Sequence, residues 1–213
     1  MGRLAQSLGP TARSRCAMNA PPKAPDDWTG SKRQRQRVIA RSIWFTVPGT
    51  AAAVGAAYYV VPAHPGMEHV LDRLVLALRW LLVAIFPYVA VCLHIAYARL
   101  VEGSHNPLTG GESERLQIHC RVMQNTLEQL VWFAVSVLAL STYLSPNQVR
   151  LVPVLCVLFA LARFVYWWGY LRRGTLGRAP GVQITFLLNT GAFGFAVVLL
   201  VRELLTWMQR GGA

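Results

Sequence analysis

The sequence predicts an all-α integral membrane protein with five transmembrane helices. Of its 213 residues, 54% are hydrophobic and only 14% are charged, whereas a soluble domain has nearer a quarter charged residues. The apolar residues also fall into five blocks that each meet or exceed the roughly 20 residues needed to cross the hydrocarbon core. Backbone groups in lipid must be hydrogen-bonded within the protein, and because the blocks lack the alternation of barrel strands, they are predicted to be helices.

The amino-terminal tail, residues 1–37, is predicted to be disordered and basic. Its prolines, glycines and charged run cannot build a core. Residues 1–41 hold nine Lys or Arg against two Asp, which is a surplus of seven in a total net charge of +12. Beside a hydrophobic helix, such a tail indicates topology control or anionic lipid rather than nucleic acid. Met1 and Met18 are both candidate start residues.

The five predicted helices divide into one plus four. A first helix over residues 38–61 precedes a four-helix membrane unit over residues 72–208, and residues 209–213 form a short tail. The helices of that unit are predicted over about residues 72–101, 114–144, 149–171 and 182–208. The first two of these are about 45 Å long at 1.5 Å per residue. Since this length exceeds the ~30 Å core, their ends project beyond the membrane or the helices tilt.

The distribution of Lys and Arg predicts the orientation of this multi-pass protein. The basic tail is expected to stay in the cytoplasm. Five crossings then place the carboxyl terminus on the opposite side. The four cysteines are far apart and form no metal-binding spacing, so they are predicted to be free thiols and no metal site is predicted.

Polar residues inside the third and fourth predicted helices are the candidate functional residues. By helical spacing, three of them share a face of the third helix and three share a face of the fourth. These are Arg121, Asn125 and Glu128, and then Arg163, Tyr166 and Tyr170. A central Arg or Glu costs ~2.5–3.5 kcal/mol in lipid, so such residues face protein or water.

Two interpretations of these residues remain open from the sequence. One is a buried structural pair, for example Arg163 with Glu128. The other is a polar ligand site between helices, since Arg99 and Arg178 are predicted at the same membrane level. Surplus arginine favours an anion bound through carboxylates or phosphates, and arginine beside a thiol favours the thiolate. A small zwitterionic peptide with a thiol fits, as do a nucleotide and a lipid headgroup.

Two short motifs resemble a known family. The segment Arg121-Val-Met-Gln-Asn125-Thr-Leu-Glu128 resembles the R-x3-N-x2-E signature of the membrane-associated proteins in eicosanoid and glutathione metabolism, the MAPEG superfamily. Arg163-Phe-Val-Tyr166-Trp-Trp-Gly-Tyr170 resembles the R-x2-Y-x2-G-Y motif of the same family. The resemblance covers about residues 72–208. Within the family, the sequence is similar to a divergent branch with mattrin-like and uncharacterised bacterial members.

The resemblance implies a four-helix bundle of MAPEG type with one additional N-terminal transmembrane helix. It also implies a homotrimer that binds glutathione between subunits on the cytoplasmic side. By motif, Arg178 would stabilise the glutathione thiolate. The remaining site residues implied by the resemblance are Arg99, Arg121, Asn125, Glu128, Arg163, Tyr166 and Tyr170.

The sequence also departs from the family pattern at three positions. Gln129 follows Glu128 where the leukotriene synthase branch has Tyr, and Ile118 stands where the family has an extra Arg. The activating Arg aligns with Gly177, one residue before Arg178.

The sequence therefore leaves two functions open and disfavours a third. The first is a glutathione-dependent transferase or peroxidase that acts on a hydrophobic, lipid-dissolved small molecule. The second is a non-catalytic membrane protein that binds lipid or glutathione as a scaffold or regulator, which the three departures favour. A transporter is disfavoured because no inverted repeat or broken helix pair is visible.

Overall fold

The computed structural model describes residues 32–103 and 113–211, and these form five helices. They are α1 (Lys32–Val60), α2 (Val70–Glu102), α3 (Glu114–Tyr143), α4 (Leu151–Gly177) and α5 (Ala179–Gly211). The described residues contain no strand. All five helices are long and apolar enough to cross a membrane. The all-α membrane fold with five helices is therefore confirmed.

Several predicted boundaries move outward. The helix α1 begins at Lys32, six residues before its predicted start, so residues 32–37 of the predicted disordered tail are helical. Lys, Arg and Gln are good helix formers, and their long side chains let a helix continue past the apolar core. At the other end, α5 continues to Gly211 rather than ending at residue 208. The predicted disorder of residues 1–31 lies outside the described residues.

The four helices α2–α5 pack into a bundle, with α1 on its outside. Helix α3 contacts α2, α4 and α5, whereas α1 contacts only α4 and α5 among the described helices. In their most apolar windows, 56% of α4 but only 6% of α1 is buried. The rings of Phe133 and Phe159 are stacked at 4.2 Å at the centre of the bundle and are fully buried. The one-plus-four organisation is thus visible in the packing.

The end of the bundle where α1, α3 and α5 begin is called the basic end. The last turns of α2 and α4 lie at this end as well, because consecutive helices alternate in direction. Here Ser113 caps α3 by accepting a hydrogen bond from the Leu116 backbone N–H, and it donates one to Glu102 Oε1 at 2.9 Å. The start of α3 is thereby fixed against the end of α2.

Candidate functional site

Arg163 lies near the middle of α4 and is the most deeply buried charged residue of the site. Only 1% of its surface is exposed. Its Nη2 donates to Asn125 Oδ1 at 3.0 Å and to Thr126 Oγ1 at 2.8 Å, and its Nε donates to Thr126 Oγ1 at 3.2 Å. Its Nη1 is buried and has no partner among the described residues. Arg163 therefore retains an unused hydrogen-bond donor in a neutral cage.

The aromatic rings of α4 continue from Arg163 in a stack. The Arg163 guanidinium lies 4.1 Å from the centroid of the Tyr166 ring, and the Tyr166 and Tyr170 centroids are 6.0 Å apart. The Arg178 guanidinium lies 5.0 Å from the Tyr170 centroid. Two phenols are thus held between two guanidinium groups, which attract the negative faces of the rings. The stack concentrates positive charge at the basic end.

Glycines bring Arg178 to the end of this stack. Helix α4 is broken at Arg173 and at Gly174, whose φ of 56° is in the left-handed region. After the break, Gly177 lies against Gly169 so closely that a β-carbon on Gly169 would be 2.1 Å from the Gly177 carbonyl oxygen. The chain therefore folds back along α4, and Arg178 comes to lie over Tyr170 instead of continuing away from it.

This close approach explains one departure from the family pattern. A β-carbon on Gly177 would lie 2.2 Å from the Gly169 carbonyl oxygen, so the position aligned with the activating Arg has no room for a side chain. The next residue, Arg178, is half-buried, and its guanidinium lies over the Tyr170 ring.

The three polar residues of α3 share a face, but that face is directed outward from the bundle. Arg121 and Glu128 are exposed, and the Glu128 carboxylate accepts a hydrogen bond from Gln124 Nε2 at 3.2 Å. Only Asn125, at the edge of this face next to α4, reaches Arg163. The alternative of a buried Arg163–Glu128 pair is therefore wrong. Thr126, which sequence reasoning missed, takes the place of the carboxylate.

Arg99 lies near the end of α2 and is half-buried at the basic end. Its Nη2 is 3.9 Å from the Cys120 Sγ, directly before Arg121 on α3. The structure thus brings together Asn125, Arg163, Tyr166, Tyr170 and Arg178 in one chain. Arg121 and Glu128 are on the outward face of α3, and Arg99 is in the last turn of α2.

A histidine pair beside the site joins three helices. His94 Nε2 and His119 Nε2 are 3.1 Å apart, and the Trp167 Nε1–H donates to His119 Nδ1 at 2.9 Å. Because His119 accepts at Nδ1, its neutral form carries the proton on Nε2, where it donates to His94. The three rings therefore hold α2, α3 and α4 together beside the site.

Gln129, which stands where the leukotriene synthase branch has Tyr, has a structural partner on α5. Asn189 on α5 is fully buried, and its Nδ2 donates to the Gln129 carbonyl oxygen at 3.0 Å and to Gln129 Oε1 at 2.9 Å. The amide therefore connects α3 to α5 one residue beyond the predicted ligand face. A tyrosine at this position would keep the bond to the carbonyl oxygen but lose the bond to the side chain.

Comparison with known proteins identifies relatives of this architecture. The chain is 28% identical over 156 residues to Transmembrane protein 79 of Mus musculus, covering 73% of this chain and 39% of that protein. It is 29% identical over 149 residues to Transmembrane protein 79 of Bos taurus, covering 64% of this chain and 37% of that protein. The chain thus spans about two fifths of the length of these relatives.

A cyanobacterial protein and a family model extend the comparison. An uncharacterized protein of Synechocystis sp. is 28% identical over 120 residues, covering 55% of this chain and 84% of that protein. No solved structure matches the chain. Residues 77–198, more than half of the chain, match the model of the MAPEG family. As the two motifs on α3 and α4 predicted, the chain belongs to the MAPEG family.

Proposed function

We propose that this protein binds glutathione at the basic end and presents its thiolate to a hydrophobic electrophile dissolved in the membrane. The observation that carries the proposal is the stack of Arg163, Tyr166, Tyr170 and Arg178, with one Arg163 donor unused. Within residues 32–103 and 113–211, no carboxylate is among the hydrogen-bond partners of Arg163. A site with surplus guanidinium groups suits a ligand with carboxylates.

The outward face of α3 supports a site that is shared between subunits. Arg121 and Glu128 are exposed within a predicted membrane span, where lipid contact costs each about 2.5–3.5 kcal/mol. Burial against another copy removes that cost. A homotrimer, the assembly that the family resemblance implies, would set this face against the half-buried Arg178 end of a neighbour's stack. Glu128 would then bind the ligand's ammonium group, and Arg121 one of its carboxylates.

The chemistry follows from a thiolate held near Arg178. A guanidinium beside the thiol stabilises the thiolate and lowers the thiol pKa from its ordinary ~8.5. The thiolate forms a C–S bond with an electrophilic carbon, and the electron pair passes to a leaving group or a conjugated double bond. In a peroxidase reaction, the thiolate attacks a peroxide oxygen, the O–O bond breaks, and the leaving alkoxide takes up a proton, so that an alcohol and a glutathione sulfenic acid form. A second glutathione thiol then attacks the sulfenic sulfur, which gives the disulfide and releases water.

Thiolate absorbance on addition of glutathione to the purified protein tests this function. We expect a thiolate signal that Arg178→Gln abolishes, while Arg202→Gln, an exposed arginine on α5 far from the site, preserves it. An equal signal in Arg178→Gln would remove this residue from the proposed role. A protein that binds no glutathione at all would contradict the proposal.

A non-catalytic role is the second candidate, because Gln129 is tied to Asn189 in place of the branch's Tyr. In that case, glutathione or a lipid headgroup would occupy the site as a structural ligand. Binding without turnover of any of several electrophiles and hydroperoxides, each detected as loss of free thiol, would select this function. Measurable turnover would exclude it.

The proposal also includes the orientation of the protein in the membrane. We place the basic end in the cytoplasm, where glutathione is abundant and where Lys and Arg beside membrane spans are retained. A thiol-reactive, membrane-impermeant label tests this in intact cells on a variant whose native cysteines are replaced. A cysteine at Arg210, near the end of α5, should react from outside, and one at Arg37 should react only after permeabilisation.

A further inference from the structure

The additional helix α1 leaves an apolar groove between itself and the bundle. The groove has a volume of about 350 Å³ and is lined on α1 by Phe45, Thr46, Gly49, Thr50 and Ala53, and on α4 and α5 by Leu158, Leu161, Ala162, Val165 and Ile184. The Thr50 hydroxyl donates to the Thr46 carbonyl oxygen at 2.7 Å, so it needs no other partner. A groove with this lining suits a hydrocarbon chain.

Basic side chains continue the groove at the basic end on α1. Arg37, Arg41, Phe45 and Gly49 follow one another at intervals of four, which places them on one stripe of the helix. Both arginines are exposed, and Phe45 and Gly49 line the groove. The charge therefore stands directly beyond the apolar lining. Since helices rise 1.5 Å per residue, Arg41 lies about 6 Å beyond Phe45 along the axis.

The opposite wall on α4 repeats this order. Val165 lines the groove, Trp168 follows three residues later on the same face, and Arg172 follows four residues after that. The Arg172 guanidinium lies 4.2 Å from the centroid of the Trp168 ring. A hydrogen bond of 3.0 Å from Ser42 Oγ to Gln183 Oε1 on α5 fixes α1 against the bundle at this level. Arginines thus flank the mouth of the groove on both sides.

Exposed tryptophans show that this mouth lies at the membrane surface. Trp44 on α1 is 78% exposed and Trp168 on α4 is 59% exposed. Tryptophan is enriched at the level of the lipid headgroups, because one part of the ring is apolar and the N–H needs a partner. The arginines beside them are therefore at the depth of lipid phosphates.

We infer that the groove between α1 and α4 is a binding site for an anionic phospholipid. One acyl chain lies against Gly49 and Val165, and the phosphate and its anionic headgroup lie between Arg41 and Arg172. This site is separate from the Arg163–Arg178 stack and does not depend on glutathione binding. It gives the additional helix a function of its own: α1 supplies one wall of the groove and one of the flanking arginines.

Native mass spectrometry of the protein released from bilayers of equal phosphatidylglycerol and phosphatidylcholine tests the inference. We expect the wild-type protein to retain phosphatidylglycerol several-fold over phosphatidylcholine. The double variant Arg41→Gln/Arg172→Gln should lose this preference, because it removes both positive charges at the mouth of the groove. Both residues are exposed, so the fold should be unchanged. Arg202→Gln, which removes an arginine from the far half of α5, should retain it.

A second variant fills the groove. A β-carbon on Gly49 would meet nothing within 4 Å, so Gly49→Leu should fold and occupy the space of the acyl chain. We expect it to lower retention of both phospholipids at least several-fold. Gly194→Leu, at an exposed glycine with equally open space outside the groove, is the matched control.

Three outcomes would overturn the inference. The first is equal retention of the two lipids by the wild-type protein. The second is an unchanged preference in Arg41→Gln/Arg172→Gln. The third is loss of the oligomer, measured in the same spectra, by Gly49→Leu with bound lipid unchanged, which would assign the groove to a second copy of the chain.

Discussion

Gly169 and Gly177 are in backbone contact, with no space for a β-carbon on either residue. A β-carbon on Gly169 would lie 2.1 Å from the Gly177 carbonyl oxygen, and one on Gly177 would lie 2.2 Å from the Gly169 carbonyl oxygen. This contact holds the segment after the break at Gly174 back against α4. It thereby fixes Arg178 at the end of the aromatic stack, 5.0 Å from the Tyr170 ring centroid.

The first prediction follows from this contact. Gly177→Ala should lower the Tm of the detergent-solubilised protein, because overpacking of this kind costs about 1–3 kcal/mol. It should also weaken glutathione binding, since Arg178 is displaced from Tyr170. Thermal unfolding and thiolate absorbance measure the two effects.

Gly194→Ala provides the control for that experiment. A β-carbon at this exposed α5 position meets nothing within 4 Å, so the Tm should be unchanged or slightly higher. A Gly177→Ala protein with the Tm and glutathione signal of the wild type would show that the close contact does not determine the position of Arg178.

The second prediction concerns the cost of Arg163. A buried guanidinium with no carboxylate partner is expensive, and a hydrophobic residue of similar volume is often tolerated or stabilising in its place. Thr126 can then bond the carbonyl oxygen one turn back on its own helix. Arg163→Met should therefore keep or raise the Tm of the ligand-free protein and abolish glutathione binding.

The opposite pair of results would show that Arg163 stabilises the fold and does not bind glutathione. If Arg163→Met lowered the Tm strongly while glutathione still bound, the guanidinium would serve to join α3 and α4 through Asn125 and Thr126. Arg202→Met, a change of the same kind at an exposed residue, should alter neither measurement.

The fold could be predicted from the sequence because its main signals are local. Each apolar block is long enough to cross the membrane, and the spacing of Arg163, Tyr166 and Tyr170 placed them correctly on one buried face. The start of α1 was placed six residues late, because the basic run after Lys32 suggested disorder although its residues are good helix formers.

The partners of the candidate residues could not be predicted, because they depend on how the helices are rotated in the bundle. Spacing showed that Arg121 and Glu128 share a face, but it could not show that this face is directed outward. It also gave no reason to select Thr126, whose hydroxyl lies next to Arg163 only after α3 and α4 pack. In the sequence, Gly177 only departs from the activating Arg of the family. Its contact with Gly169 depends on the chain folding back along α4.

The third prediction tests the outward face of α3. Val135 lies two turns beyond Glu128 on this face and is 64% exposed. If another copy packs there, Val135→Trp should disrupt the oligomer in detergent, as measured by light scattering after gel filtration. Leu204→Trp places the same ring on α5, where the residue is 51% exposed, and should leave the mass unchanged. A monomeric wild-type protein, or an intact oligomer in Val135→Trp, would contradict this interface.

The fourth prediction concerns the amide pair of Asn189 and Gln129, the residue that stands where the leukotriene synthase branch has Tyr. Asn189 Nδ2 donates to both the carbonyl and the side-chain oxygen of Gln129. Polar contacts between membrane helices average about 0.6 kcal/mol and reach about 1.7 kcal/mol. Asn189→Leu and Gln129→Leu should therefore each lower stability. Their effects should not add, since removal of one partner already removes the side-chain bond.

A double-mutant cycle in urea or detergent denaturation measures that coupling. We expect a coupling energy toward the upper end of the same range, about 1–1.7 kcal/mol, because Asn189 is fully buried and its bond to Gln129 Oε1 is 2.9 Å long. Strictly additive losses would mean that the two amides stabilise the bundle independently. In that case Gln129→Tyr, which restores the branch residue, should cost no more stability than Gln129→Leu.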